Sequence, residues 1–294
     1  MKLQNVFGIL VLWAVALGLR AQTPSTVSVD VIGEGQPIVF IHGMSCSADV
    51  WDDVVAKYQS DFELHLVQID GFGNKRTIEA DHILEQVKDD LISYIDQSTS
   101  SAPIIMGHSM GGFLGFWIAS ERPDLVKGLI SIDGLPYIPV LQMPHVTPES
   151  AKEMADNMRA MSAGQTEAIR RQMSEMMIAT MIASEDRREE VIKMGMASQF
   201  DVVDQAYAEM LTTDLRPMVS QIKCPVLVLG AWKAYKQYGL TKEVNQMNYE
   251  AQVKSIENAE VRMADEAYHF IFFDEPEWFF QQTNHFLTEL NNVK

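Results

Sequence analysis

The sequence predicts an α/β protein: a mostly parallel sheet covered by helices on both faces, with a helical segment inserted into it. Three observations carry this. Short apolar runs recur along the chain, at 37–41, 63–69, 103–106, 127–133, 225–229 and 260–263. Helix-like stretches alternate with them, as parallel strands joined by crossovers require. Between 136 and 217 the alternation stops, and the pattern reads as three or four helices punctuated by Pro144, Pro148 and Gly164.

Taken in order, residues 1–21 read as a secretory signal. Lys2 supplies the positive start, residues 6–19 are almost wholly apolar, and Ala21-Gln22 offers a cleavage point. The apolar run is short for a membrane span. The expectation is an exported protein, periplasmic or secreted, with no stable membrane span after processing. The core is then assigned to 22–136 and 217–294, and a helical lid to 137–216. The first strand run, 37–41, ends in His42-Gly43-Met44; the next, 63–69, ends in Asp70-Gly71-Phe72-Gly73. Residues 81–96 are helical in period, with Ile83, Leu84, Val87, Leu91, Ile92 and Ile95 on one face. The run 103–106 leads into Gly107-His108-Ser109-Met110-Gly111, and a helix-like stretch follows over 112–120. Gly-x-Ser-x-Gly between a strand and a helix is a nucleophile elbow. The small residues allow a sharp turn that exposes the serine oxygen, and the helix N-terminus points free N–H groups at the site.

With the order of these pieces, the chain resembles the α/β-hydrolase superfamily along nearly its whole mature length. The Asp70–Gly73 turn is similar to the Asp-x-x-Gly-x-Gly turn of that family. The resemblance implies a serine nucleophile, Ser109. It implies an oxyanion site made by the N–H groups of Met44, just beyond the His-Gly turn, and Met110. His42 is then a turn histidine that orients the loop. The general base must follow the last strand, and among the seven histidines only His269 does so; Ala267-Tyr268-His269-Phe270 resembles the family's histidine turn. The acid departs from the commonest pattern. After the run 225–229 the chain reads Gly230-Ala231-Trp232-Lys233-Ala234-Tyr235-Lys236, with no carboxylate before Glu243. A minority of the superfamily places the acid one strand earlier. There the run 127–133 ends in Asp133, which is taken as the residue that orients His269.

The net charge of −17 argues against nucleic acid or anionic membrane surfaces as partners. Cys46 follows the oxyanion turn and Cys224 starts a parallel strand. They should therefore lie at opposite edges of the sheet, too far apart for a disulfide. No histidine, cysteine and carboxylate spacing suggests a metal, and the expected chemistry needs no cofactor. Methionines crowd the inserted segment, and the run Met173, Met176, Met177, Met181 is expected to put some of its surface over the site as an adaptable apolar pocket. The reading is an exported serine hydrolase cleaving small to medium apolar carboxylic esters, with a small-molecule ester as partner. The alternatives are a lipase or thioesterase for longer acyl chains, and a hydrolase-like binding protein without activity. The oligomeric state is not legible.

Overall fold

A computed structural model describes residues 25–73, 76–78, 81–141, 143 and 145–292; the expected signal segment lies outside them, as does Pro144. In chain order the elements are β1 Val27–Ile32, β2 Gln36–Ile41, α1 Asp52–Tyr58, β3 Phe62–Ile69, α2 Ile83–Ser98, β4 Ile104–His108, α3 Met110–Glu121 and β5 Gly128–Ile132. Then come α4 Pro148–Ser162, α5 Glu167–Met181, α6 Glu185–Ala197 and α7 Phe200–Thr212. The chain closes with β6 Val226–Gly230, α8 Lys242–Val253, β7 Ala259–Met263, α9 Ile271–Asp274 and α10 Pro276–Asn292. The strands form one sheet in the order β1-β3-β2-β4-β5-β6-β7. All neighbours pair in parallel except β1 with β3.

Strand periodicity explains why these runs are apolar throughout. Successive side chains point to opposite faces, and both faces here are covered. In β2, Ile38 and Phe40 join Val54 and Tyr58 of α1 and Phe279 and Leu287 of α10. Val39 and Ile41 join Leu84, Val87 and Leu91 of α2 and Phe113 of α3 on the other face. β4, β5 and β6 are buried at every position. Helix α3 is enclosed nearly all round, so it shows no amphipathic stripe. Cys46 and Cys224 lie in different core clusters and are both free and buried.

β1 and α1 were not among the expected elements. β1 reads Val-Ser-Val-Asp-Val-Ile and has no fully buried position; Val31 is 53% exposed. Such an edge strand lacks the continuous apolar run that marks the central ones.

Four helices, α4 to α7, stand between β5 and β6, within the expected 137–216 segment. Thr147 and Thr166 cap the first two through their hydroxyls. The insertion is tied to the core by polar contacts. Glu209 of α7 accepts the N–H groups of Ile83 and Leu84 at 2.9 and 2.7 Å, capping α2. Ser198 Oγ accepts from Gly73 N–H, and Gly71 carbonyl accepts from Gln199 N–H, both at 2.7 Å. Met173, Met176 and Met177 of α5 are 48–59% exposed. Ile178, Met181 and, just past the helix, Ile182 are less exposed. Together with Met194 and Met196 of α6, these pack on the core cluster that holds Phe270 and Phe272.

Candidate active site

The C-terminal ends of β2, β4, β5 and β7 converge at one edge of the sheet, where ligands of open parallel sheets bind. Among the described residues only three non-glycine residues have positive φ: Ser45 at 61°, Ser109 at 53° and Asp133 at 50°. All three follow strand ends at this edge. Left-handed backbone at such residues is strained and clusters at functional sites.

Ser109 turns the chain from β4 into α3 with φ 53° and ψ −114°. Its N–H donates to Ile132 carbonyl at 2.8 Å, which places it beside the end of β5. The turn fits only because its neighbours lack side chains. A β-carbon at Gly107 would collide with Gly111 backbone, and one at Gly111 with Ile41 carbonyl. Met110 is the first residue of α3, so its N–H has no acceptor within the helix. Met44 follows Gly43 at the end of β2, and that glycine touches the elbow. A β-carbon on it would lie 3.3 Å from Ser109 Cβ and 2.7 Å from His108 Nδ1.

His42 holds this turn. Its Nε2 accepts the N–H of Ile69 at 3.1 Å, so its proton is on Nδ1, which donates to Gly43 carbonyl at 2.8 Å. Complete burial lowers its pKa to about 4. The ring is thus a fixed neutral tautomer engaged at both nitrogens, as expected of a turn histidine.

Asp133 follows β5, its N–H donating to Leu229 carbonyl at 2.7 Å. Its side chain is 2% exposed, and Oδ2 accepts from His269 Nδ1 at 2.6 Å. The other oxygen, Oδ1, accepts from Ala231 N–H at 2.7 Å and from Tyr249 hydroxyl at 2.6 Å. His269 sits on the loop between β7 and α9, with 17% of its side chain exposed. The structure therefore brings Asp133 and His269 together. Glu243 lies exposed in the first turn of α8, its carboxyl held low by N-terminal hydrogen bonds.

The backbone around His269 is fixed from three sides. Its carbonyl faces His108 Nε2 at 3.1 Å. Phe270 N–H donates to Met181 carbonyl at 3.3 Å. Asp274 accepts Tyr268 N–H at 2.9 Å, and the same carboxylate accepts Ser184 N–H at 2.9 Å and Ala183 N–H at 3.0 Å. The α5–α6 connection and the histidine loop therefore share one anionic clamp. His108 is itself buried. Desolvation, and then the neighbouring His269, hold its pKa well below the ordinary value, and its Nδ1 is buried without a hydrogen-bond partner.

Tyr249, Asp274 and His108 did not emerge as site residues from the sequence. No local motif marks Tyr249, which reads as an apolar-face residue of α8. Among the described residues no cluster of three or more histidine, cysteine, aspartate or glutamate side chains is arranged to hold a metal. No described helix is long and apolar enough to cross a membrane.

A strained serine between strand and helix, with a carboxylate-bound histidine at the same sheet edge, defines a class, and comparison with known proteins agrees. The family model described as alpha/beta hydrolase fold matches residues 36–276, and the chain belongs to that family. Pimeloyl-[acyl-carrier protein] methyl ester esterase of Sodalis glossinidius (strain morsitans) is 26% identical over 195 residues, 65% of this chain and 73% of that protein. A thermophilic esterase from Thermogutta terrifontis superposes with a TM-score of 0.70 at 20% identity, covering 90% of this chain and 93% of that one. The enol-lactonase from Burkholderia xenovorans LB400 gives 0.71 at 18% identity, covering 89% and 96%. These structures share the fold.

Proposed function

We propose that this protein is a carboxylic ester hydrolase acting on small to medium apolar esters through Ser109, His269 and Asp133, without a cofactor. The observation that carries the reading is the 2.6 Å bond from His269 Nδ1 to buried Asp133, at the same edge as Ser109 on its strained turn. That bond leaves Nε2 as the basic nitrogen. Ser109 Oγ attacks the acyl carbonyl while His269 Nε2 takes its proton. The N–H groups of Met44 and Met110 hold the developing oxyanion. His269 returns the proton to the leaving alcohol, then activates the water that releases the acid. Asp133 holds the tautomer and stabilises the imidazolium. The inserted helices act as the lid, with Met181, Met194 and Met196 on the apolar side that meets the acyl chain.

The second reading, a lipase or thioesterase for longer acyl chains, is favoured by those methionines and by relatives named for a pimeloyl methyl ester. An aryl-ester panel of increasing acyl length, run on wild type and Ser109→Ala, tests both. Turnover should fall by about 10⁴–10⁶ in the variant. Preference for long chains supports the second reading. Absence of turnover by wild type on every ester supports a binding protein instead. Export belongs to the same proposal, resting on residues 1–21; N-terminal sequencing of protein from the native host should begin near Gln22, and an intact Met1 contradicts it.

A further inference from the structure

We infer that Tyr249 is a positioning residue for this reaction: its hydroxyl, with Ala231 N–H, fixes the Asp133 carboxylate and sets the pH at which His269 becomes a base. The inference rests on the Ser109–His269–Asp133 reading and names the group that makes that acid work.

A carboxylate presents about four acceptor positions and turns freely about its last torsion. One bond to a histidine does not hold it. Here three donors converge: His269 Nδ1 on Oδ2, and Ala231 N–H and Tyr249 hydroxyl on Oδ1. Oδ1 is thereby occupied, and Oδ2 alone is left to meet His269. The arrangement has its own support. Ala231 follows β6, and its carbonyl accepts from Asn245 Nδ2 at 2.8 Å. Asn245 and Tyr249 are one helical turn apart on α8, so one helix face holds both the peptide and the phenol that grip Asp133. Where the end of β6 carries no carboxylate, it turns an N–H toward the acid on the neighbouring strand.

A buried tyrosine needs an acceptor, but any nearby carbonyl would serve for packing alone. Tyr249 instead bonds the carboxylate that bonds His269. Burial and the Asp133 charge push the Tyr249 pKa well above the ordinary value, so it stays a donor at working pH. The other groups facing this pocket are Tyr235 from the turn after β6 and His108 from β4, with His42 beyond it. Both histidines are held neutral by burial. The ion pairs Lys233–Glu266 and Lys242–Asp265 join the turn after β6 and the start of α8 to the loop after β7. The acid limb of kcat/KM is therefore the readout for this contact.

Removing a donor concentrates charge on the carboxylate, which then holds the imidazolium proton more tightly. In Tyr249→Phe the acid limb should move up by about 0.5–1 pH unit, and plateau kcat/KM should fall about 3–10-fold. Placing 3-fluorotyrosine at 249 keeps the shape and hydroxyl but strengthens the donor, so the limb should move down. Limbs that stay at the wild-type pH in both proteins, or that move the same way, overturn the inference. If Tyr249→Phe does not fold, the fluorotyrosine protein decides alone. Asp133→Asn run alongside separates the two claims. A dead Asp133→Asn with unmoved limbs refutes only the role of Tyr249. An active Asp133→Asn refutes the triad beneath it.

Discussion

Replacing Asp133 by asparagine tests the acid through a consequence of its hydrogen bonds. Ala231 N–H and Tyr249 hydroxyl both donate to Oδ1, at 2.7 and 2.6 Å. In the variant, the amide oxygen must stay at that position. Turning the NH₂ there would face two buried donors with a third and leave them unpaired, at about 1–3 kcal/mol each. The NH₂ is therefore directed at His269 Nδ1. A donor facing Nδ1 requires its lone pair, so the histidine proton moves to Nε2, the nitrogen that must accept from Ser109. The imidazolium also loses its counter-charge. A wrong tautomer of this kind lowers turnover by about 10³–10⁴, or roughly 4–5.5 kcal/mol of barrier at about 1.36 kcal/mol per decade. The assay is kcat on an aryl acetate, with thermal melting to establish that the variant is folded. Glu243→Gln, on an exposed helix turn, should change the rate less than about tenfold. A folded Asp133→Asn within tenfold of wild type refutes the reasoning.

Stability should fall on mild acidification. His42 is buried neutral, with its pKa lowered by burial to about 4, and His108 is shifted in the same direction. Because the unfolded chain binds these protons first, near pH 6.5, stability is lost as pH falls below that value toward the folded pKa. For His42 the loss is about 2 kcal/mol at pH 5, so Tm should drop by at least about 4 °C between pH 7 and pH 5; His108 adds to the drop in the same direction, so it should be smaller in His108→Gln. Equal Tm at the two pH values contradicts this. Acyl-chain preference should respond to the methionines of the insertion that pack on the core: Met181→Phe and Met194→Phe should shift the optimum toward shorter chains, whereas exposed Met173→Phe should leave it unchanged. A shift with Met173→Phe alone would place the acyl chain elsewhere.

Local chemistry made part of this site legible. Ser109 stands in a strand–turn–helix context whose flanking glycines are sterically required. His269 and Asp133 were singled out through the resemblance to the α/β-hydrolase superfamily, which asks for a histidine after the last apolar run and, with no carboxylate at the end of β6, for an acid one strand earlier. What stayed hidden depends on contacts distant in sequence. Tyr249 lies 116 residues from Asp133, and in a helical pattern it is indistinguishable from a packing residue. Asp274 gathers N–H groups from a loop 90 residues away. β1 escaped because an edge strand paired on one side needs no continuous apolar run.

The proposed reaction requires Ser109, on its strained turn, to be the covalent nucleophile. A fluorophosphonate probe followed by peptide mapping tests this most directly. One adduct per chain is expected, on the peptide carrying Gly107 to Gly111, attached to Ser109, and none on Ser109→Ala. An adduct on any other residue, or labelling that persists in Ser109→Ala, would contradict it.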